Sequence, residues 1–546
     1  MSKGVQHRGL PMLVRAAGMI ALITILARIA GFVRYLVFGS TVGAGDIGTA
    51  YATANLVPNV LFEAAAGGAL AGMVIPLIAG LDLVRGARSG QIVSAILTWT
   101  LLVTGVLAAA VALGAPLIAQ VVFGSGSQSF NAPGIELGTR LLRVFAPQLP
   151  LYGITIVLGA SLQAQRRFFW PAFVPLLSSL VVMGTYYLYR AAVPASVSIA
   201  SLNASGEFWL GWGTTLGVAA MAVPMIIAAR RAGFRYRPSL RFPKGVAGHA
   251  LGLAGAGMAG VVTQQGVTAL ILVLSIRAGG SGTLPLFQYG QAMYLLPFAI
   301  LLVPVMTSVF PQLSELRTRD DKAALSSLAA GSAASVTALA AVGGAALIGA
   351  ALGIDRLFTV VDRTGVLGVG AVTAALALGL IPYGIVMHSI RVLNATLHAR
   401  DAVVVAAIPW TTAGLLILAG VFTSGTRQSA EAAVLFSFAI TIGMSVGAVC
   451  AITIVQDRVL NPADARSLRI SITISTAAFL LGALGGHLAS RAAAPAMTGP
   501  TTAVLLGAAT GILGGLLALG VTALLDRQRA RVLVRSLLRR PAAAPR

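Results

Sequence analysis

Charged residues are scarce in this sequence, and their scarcity excludes most soluble classes of protein. Only 10% of the 546 residues are charged, whereas soluble domains carry about 25%. Hydrophobic residues make up 57%, and the mean hydropathy is +0.90. The single cysteine, Cys450, lies in an apolar run and cannot form a disulfide within the chain. We therefore predict an all-α protein that crosses a membrane many times.

Catalytic motifs are missing as well. The sequence contains no phosphate-binding loop followed by lysine, no HExxH motif and no metal-ligand spacing among its five histidines. We expect no enzyme activity and no bound cofactor. The net charge of +23 would indicate nucleic acid in a soluble protein. In a membrane protein it indicates cations on the cytoplasmic side, so we expect no nucleic-acid partner.

Apolar segments of about 20 residues or more are the candidates for membrane-spanning helices. The sequence contains fourteen such segments, at residues 12–38, 48–80, 92–123, 136–163, 169–193, 207–230, 246–276, 284–313, 324–352, 366–396, 402–423, 429–456, 467–489 and 501–525. The basic N-terminus precedes a segment too long for a signal-peptide core, so the first helix is expected to be retained.

The distribution of Lys and Arg supports this count. With the N-terminus in the cytoplasm, 26 of the 38 cations fall in cytoplasmic segments and only six outside, the rest lying within helices. A missed or additional helix would destroy this asymmetry downstream. The positive-inside rule therefore predicts that both termini are cytoplasmic.

A weak internal repeat links two sets of six segments. Pro58 and Pro297 are 239 residues apart in similar contexts, and Gln163 and Asn394 are 231 apart. An even number of helices separates the copies, which predicts a parallel repeat about an axis along the membrane normal, with a site between the halves. The predicted domains are an N-lobe at 1–235, a C-lobe at 236–460, a helix pair at 461–526 and a basic tail at 527–546.

Two arginines, Arg28 and Arg34, lie well inside the first apolar segment. A charge at membrane depth costs about 2.5–3.5 kcal/mol, so it usually faces a wet cavity or a partner. Guanidinium groups suit phosphate oxygens, and two of them suit a diphosphate. Glu63 is the one acidic residue deep in the first half. It could neutralise an arginine between transport steps, carry a coupling proton, or form a structural ion pair with these arginines.

Other polar and small residues complete the predicted site. Asn59 and Gln291 are predicted to line the cavity, whereas Arg391 could line its inner mouth or extend to the interface. Arg140, one turn after Glu136, is explained by an interfacial ion pair without any function. Three residues of the second segment are expected to allow a bend or gate, namely Pro58, Gly67 and Gly68.

Several motifs together resemble one known family. They are ARIAGFVR, VPN with Glu four residues after the Asn, GGAL, IPL, LQAQRRFFWPAFVP and QYGQAMYLLPFAILLVPVMTSVFPQLS. They are similar to the MurJ/MviN family of the multidrug/oligosaccharidyl-lipid/polysaccharide exporter superfamily. The resemblance implies fourteen helices in two six-helix lobes, plus a final pair that forms a groove for the lipid tail.

The resemblance also implies a function. Members flip lipid II, the undecaprenyl-diphosphate precursor of peptidoglycan, from the inner to the outer leaflet of the bacterial inner membrane by alternating access. The implied partners are this glycan lipid, membrane lipids and cell-wall synthesis proteins. We expect no cofactor. The membrane potential favours the outward movement of an anion, and whether an ion is coupled to transport stays open.

Residue by residue, the resemblance is incomplete. Arg28 and Arg34 match two family arginines that line the central cavity. Other charged positions of the family fall on neutral residues here, namely Thr49, Phe62, Gly67 and Gln291 or Ala292. Three alternatives therefore stay open: a flippase for another polyprenyl-diphosphate glycan, a transport-inactive scaffold for cell-wall synthesis, and a drug/cation antiporter. The antiporter would need acidic residues in the cavity, and only Glu63 qualifies.

Overall fold

The computed structural model describes residues 9–67, 87–124, 128–194, 197–242, 246–425 and 427–526. Throughout these ranges the regular structure is helical, and no strand occurs among them. The prediction of an all-α polytopic membrane protein is confirmed. For reference, residues up to 242 are called the N-terminal half, and residues 246–460 the C-terminal half.

Seven helices make up the described N-terminal half. Their bounds are α1 Gly9–Thr41, α2 Asp46–Phe62, α3 Ala87–Phe123, α4 Gln128–Phe145, α5 Gln148–Ala164, α6 Phe169–Ala192 and α7 Ala204–Arg231. A π-helical turn, Glu63–Gly67, continues α2. Helices α4 and α5 together form one candidate span.

Eight helices make up the C-terminal half, and two follow it. Their bounds are α8 Val246–Gly279, α9 Thr283–Pro297, α10 Val303–Thr318, α11 Lys322–Val361, α12 Val369–Ala377, α13 Leu380–Ala395, α14 Ala399–Ser424, α15 Ser429–Arg458, α16 Pro462–Ala493 and α17 Pro500–Leu525. A second π-helical turn, Phe298–Leu302, joins α9 to α10 within one span.

Twelve spans in the described residues are long and apolar enough to cross a membrane. Helices α12 and α13 form a thirteenth as a pair bent by 51°. These thirteen correspond to thirteen of the predicted segments. The remaining segment, at 48–80, is described only as far as residue 67. The count of fourteen therefore stays a prediction.

The predicted repeat has counterparts in the backbone before the second helix of each half. Gly43 and Gly282 both adopt positive φ, at 84° and 89°, and are 239 residues apart. Each precedes a helix that carries a proline, Pro58 in α2 and Pro297 in α9. A π-helical turn follows each proline. Such turns arise where the regular hydrogen-bond pattern of a helix is interrupted.

A second pair of corners repeats with the other offset. Arg166 and Leu397, 231 residues apart, both adopt positive φ, at 61° and 63°. Residues other than glycine rarely adopt this conformation. The same hydrogen bond closes each corner, from the Arg167 amide to the Leu162 carbonyl at 2.9 Å and from His398 to Leu393 at 2.8 Å. The two halves therefore use the same corner.

The last two helices, α16 and α17, pack on α11 of the C-terminal half through small residues. A β-carbon on Gly353 of α11 would lie 2.5 Å from the Gly507 Cα of α17. The Thr510 hydroxyl donates to the Gly349 carbonyl across the same contact, at 2.9 Å. Glycine is required here because the two backbones touch, which is how membrane helices associate without a hydrophobic driving force.

The link between the halves is ordered along α3. The Trp99 indole Nε1 donates to the Leu240 carbonyl at 3.0 Å, and the Arg237 amide donates to Ser94 Oγ at 3.2 Å. The predicted boundary at 235–236 falls within this link. Its arginine side chains at 235, 237 and 241 are exposed.

Candidate functional site

A cavity of about 770 Å³ lies between the two halves. Helices α1, α2, α5, α6 and α7 form most of its wall, and α9 with the following π-helical turn forms the rest. Exposure decreases along α1, from exposed Arg28 through half-buried Arg34 to Phe38 at 5%. The cavity is therefore open near Arg28 and closes toward the end of α1. We call the part at Phe38, Tyr51 and Tyr186 the closed end.

Arg28 and Arg34 are the charged side chains that line this cavity within the described chain. Six residues separate them, which is about 9 Å along a helix. Neither forms an ion pair with any described residue. The guanidinium carbon of Arg34 lies 5.9 Å from the centre of the Tyr35 ring, a cation–π distance. The two cations thus face the cavity without an anionic partner.

Tyrosines surround Arg34 at the closed end. The Tyr51 hydroxyl is 2.8 Å from both the Tyr186 hydroxyl and Thr214 Oγ1. Tyr35 and Tyr152 also line the cavity. The sequence analysis did not predict these tyrosines. The available signal was a polar-tipped aromatic within an apolar span, which commonly finds a hydrogen-bond partner when buried.

Amide groups on α2 line the cavity one and two turns beyond Tyr51. Asn59, which was predicted to line it, does so, and its Nδ2 donates to the Asn55 carbonyl at 2.8 Å. Asn55 also lines the cavity, and its buried Oδ1 has no hydrogen-bond partner within the described protein. A buried amide oxygen without a partner is costly. This oxygen is therefore available to accept a hydrogen bond from a ligand hydroxyl or amide.

The α9 side of the cavity carries no charge. Its lining residues are Gln288, Ala292, Leu295, Leu296 and Ala299. Their spacing of about four and seven residues places them on one helix face.

Gln291, the residue predicted from α9, is not among those that line the cavity. At 100° per residue it points to the flank of the face that Ala292 and Leu295 share. Gln288, one turn earlier, takes the predicted place. Gln288, and not Gln291, is therefore the α9 amide that lies among the cavity-lining residues.

Glu63 makes no ion pair with a described residue, so the structure does not bring its carboxylate together with either arginine. Its carboxylate instead packs against Gly67, where an added β-carbon would lie 2.8 Å from Glu63 Cδ. Both residues belong to the π-helical turn, and Pro58 is buried in α2 five residues before that turn begins. None of the three lines the cavity. Gly68 lies outside the described residues.

Two further arginines lie away from the cavity. Arg391 on α13 is half-buried, and its Nη1 has no hydrogen-bond partner within the described chain. Arg140 forms the predicted pair with Glu136 at 3.9 Å and a shorter one with Glu207 at 2.8 Å. Such exposed pairs contribute roughly 0–1 kcal/mol, which agrees with a structural role.

Comparison with known proteins finds one family that matches most of this chain. Residues 38–495 match the family described as "Lipid II flippase MurJ". The chain is 28% identical over 305 residues to a probable lipid II flippase MurJ of Rhizobium tropici, covering 53% of each protein. It is 24% identical over 327 residues to the lipid II flippase MurJ of Burkholderia cenocepacia, covering 58% of this chain and 60% of that one. The chain thus spans about half the length of these relatives.

Solved structures extend the similarity of fold over most of the chain. A structure of lipid II flippase MurJ in an inward closed conformation gives a TM-score of 0.71 at 18% identity, covering 94% of this chain and 99% of that one. An inward-facing multidrug resistance MATE family transporter of the MOP superfamily gives 0.60 at 12% identity, covering 83% and 95%. Because the family match extends over most of the sequence, this multi-pass membrane protein belongs to the lipid II flippase MurJ family.

Proposed function

We propose that this chain flips lipid II from the inner to the outer leaflet of a bacterial cell membrane. The observation that carries the proposal is the pair Arg28 and Arg34, two cations without an ion-pair partner in the described chain that face one cavity. A guanidinium fork binds phosphate oxygens in bidentate fashion. The diphosphate of the lipid supplies the anion, and the amide and hydroxyl groups of the wall supply partners for the sugars.

The proposed mechanism is alternating access between two parallel lobes, residues 1–235 and 236–460, within fourteen spans. The repeated corners and π-helical turns support two copies of one unit. The cation asymmetry of the loops supports cytoplasmic termini. The prenyl tail would stay in lipid along residues 461–526. Exposed leucines of α16, such as Leu480, Leu484 and Leu488, give that pair an apolar outer surface.

The membrane potential supplies a driving force for the outward step. An anion that leaves a negative interior gains about 2.3 kcal/mol per charge per 100 mV. A coupling ion is a further proposal, with Glu63, in the π-helical turn after α2, as the acidic group nearest the cavity-lining Asn59 in sequence.

A second candidate substrate is another polyprenyl-diphosphate glycan. The neutral α9 wall favours it, because the wall presents one amide, Gln288, and otherwise alanine and leucine to the head group. A wall with so few polar groups can form few specific hydrogen bonds, so it does not select strongly among glycans. The cavity itself counts against a scaffold without transport, since about 770 Å³ lies in the range of ligand sites.

Reconstitution of the full chain tests the proposal. Proteoliposomes loaded with lipid II, labelled on its peptide, report arrival at the opposite leaflet through a membrane-impermeant quencher. We expect Arg28→Glu to slow flipping by at least about 100-fold, because a charge-assisted contact is replaced by repulsion. Arg356→Glu, on an exposed residue of α11 outside the cavity lining, is the matched control and should keep the parental rate.

Two results would decide against the proposal. Parental flipping by Arg28→Glu would remove the cavity arginines from the mechanism. Flipping of a peptide-free undecaprenyl-diphosphate glycan but not of lipid II would favour the second candidate.

A further inference from the structure

A short turn after α11 holds the two halves together beyond the closed end of the cavity. The Asp362 carboxylate is buried, at 4% exposure. It accepts hydrogen bonds from the Ala44 amide of the N-terminal half at 3.1 Å and from the Tyr289 hydroxyl at 2.9 Å. Thr364 donates its amide and its hydroxyl, at 2.9 and 2.6 Å. A buried carboxylate is tolerated only when it is hydrogen-bonded in this way.

The next residue, Arg363, binds the other half directly. Its amide donates to the Gly39 carbonyl at 2.8 Å. Its two guanidinium nitrogens donate to the carbonyls of Thr41 at 2.7 Å and Val193 at 2.8 Å. Thr41 ends α1, where helix carbonyls lack partners within the helix. Arg363 therefore connects the turn to the end of α1 and to the segment after α6.

A second contact between the halves lies nearby. Thr49 Oγ1 of α2 accepts from the Gly282 amide at 2.8 Å and is 3.3 Å from Ser281 Oγ. Thr49 is fully buried. This pair of hydroxyls can therefore report whether the halves are in contact here.

Tyr289 connects this region to the cavity. Its ring stacks on Phe358 at 4.8 Å and meets Tyr35 edge-on at 6.3 Å and Phe38 at 6.2 Å. Tyr35 and Phe38 line the cavity, and Tyr35 carries the cation–π contact with Arg34. A ligand group that reaches Arg34 is thus separated from Asp362 by two aromatic rings.

We propose that Asp362 and Arg363 form a latch that keeps the halves closed, and that Tyr289 is a positioning residue through which a head group at Arg34 releases it. This inference rests on the proposed function. The latch has two discrete states, because a carboxylate that loses the Ala44 amide needs water in its place. A ligand shifts such an equilibrium only by binding one state more tightly. The Tyr35–Tyr289 contact supplies this difference in affinity between the closed and open states. A ligand group that displaces Tyr35 moves the Tyr289 ring, and with it the hydroxyl that donates to Asp362.

Disulfide formation between Thr49→Cys and Ser281→Cys, in a Cys450→Ser background, measures latch closure in proteoliposomes of the full chain. We expect Asp362→Ala and Arg363→Ala to slow cross-linking about tenfold, since each removes charge-assisted bonds between the halves. Asp362→Asn keeps an acceptor oxygen and the side-chain shape. It should slow cross-linking only about twofold to threefold, and it covers the case in which the alanine variants do not fold.

The matched control is Asp355→Ala. Asp355 accepts from the amides of Gly368 and Gly370 at 2.8 and 3.1 Å, entirely within the C-terminal half. Its loss disturbs the same loop without removing a bond between the halves, so cross-linking should stay near the parental rate. Parental rates for Asp362→Ala and Arg363→Ala, or equal slowing by Asp355→Ala, would overturn the latch.

The coupling is tested with undecaprenyl diphosphate as the probe. In the parent we expect the probe to slow cross-linking about threefold, and in Tyr289→Phe the response should disappear while the ring stack is kept. A parent that does not respond, or an equal response in Tyr289→Phe, would overturn the role of Tyr289. The cross-linking measurements on the Asp362, Arg363 and Asp355 variants need no substrate, so their outcome is independent of the flipping assay. They therefore distinguish failure of the latch from failure of the proposed function.

Discussion

The two walls of the cavity differ in every property that matters for binding. The N-terminal half contributes both arginines, the tyrosines and the asparagines, whereas α9 and the π-helical turn after it contribute Gln288 and four apolar residues. An anionic head group would therefore be held by one half while the other half moves across it. In the proposed alternating access, this arrangement would separate recognition from motion, because few polar contacts on α9 would break when the lobes change orientation.

A second contrast lies along the axis of α1. Arg28 and Arg34 have no anionic partner in the described chain, whereas Asp362 and Arg363, beyond the closed end, have hydrogen bonds from several elements. Charged groups whose hydrogen bonds are all satisfied within the protein stabilise one conformation. Charged groups without such partners in a wet cavity are available to bind a ligand. In the proposed mechanism, arginine therefore serves binding in one place and closure in the other.

Adding a negative charge to the neutral wall should have the largest effect. We expect Ala292→Glu to lower the flipping rate about 100-fold, because the carboxylate would face the two arginines and compete with the diphosphate. The measurement is the initial rate of leaflet transfer in proteoliposomes. Ala292→Gln, of nearly the same volume and without charge, is the control. If both variants lost the same activity, volume and not charge would be the cause.

Replacing a cavity arginine by lysine tests whether the planar shape of the guanidinium group, and not only its charge, matters for binding. Arg34→Lys keeps the charge but loses the planar fork, so we expect the KM for lipid II to rise about tenfold. Arg28→Lys should change KM less, about threefold, because Arg28 is exposed near the open side and water screens its charge. Equal KM values for Arg34→Lys and the parent would mean that a point charge suffices there.

Much of this fold could be predicted from the sequence, because membrane spans and loop charges are strong signals. The two-lobe repeat stays a prediction, although the offsets of 239 and 231 residues recur in the backbone at Gly43 and Gly282 and at Arg166 and Leu397. Both cavity arginines were singled out by the cost of charge at depth. The count of fourteen spans could not be tested beyond residue 67 of the second segment.

The other residues of the site could not be predicted, because they are brought together by contacts between distant parts of the sequence. Tyr51 and Tyr186 are 135 residues apart in sequence and meet only in the folded protein. Asp362 and Ala44 are 318 residues apart, and in the sequence Arg363 was only one of the few cations outside the membrane. The phase of α9 was also ambiguous, because Gln288 and Gln291 are amides of the same helix and only its packing decides which of them faces the cavity.

The smallest expected effect comes from a substitution that tests which face of α9 lines the cavity. Gln288→Leu removes the one polar side chain that α9 contributes to the cavity lining, while its volume is nearly conserved. A single neutral hydrogen bond contributes about 0.5–1.5 kcal/mol, so the KM for lipid II should rise about threefold. Gln291→Leu, three residues away and outside the lining, should leave KM unchanged. A larger effect at Gln291 than at Gln288 would rotate the functional face of α9 by about 60°, and the neutral wall would then no longer be the surface that the head group meets.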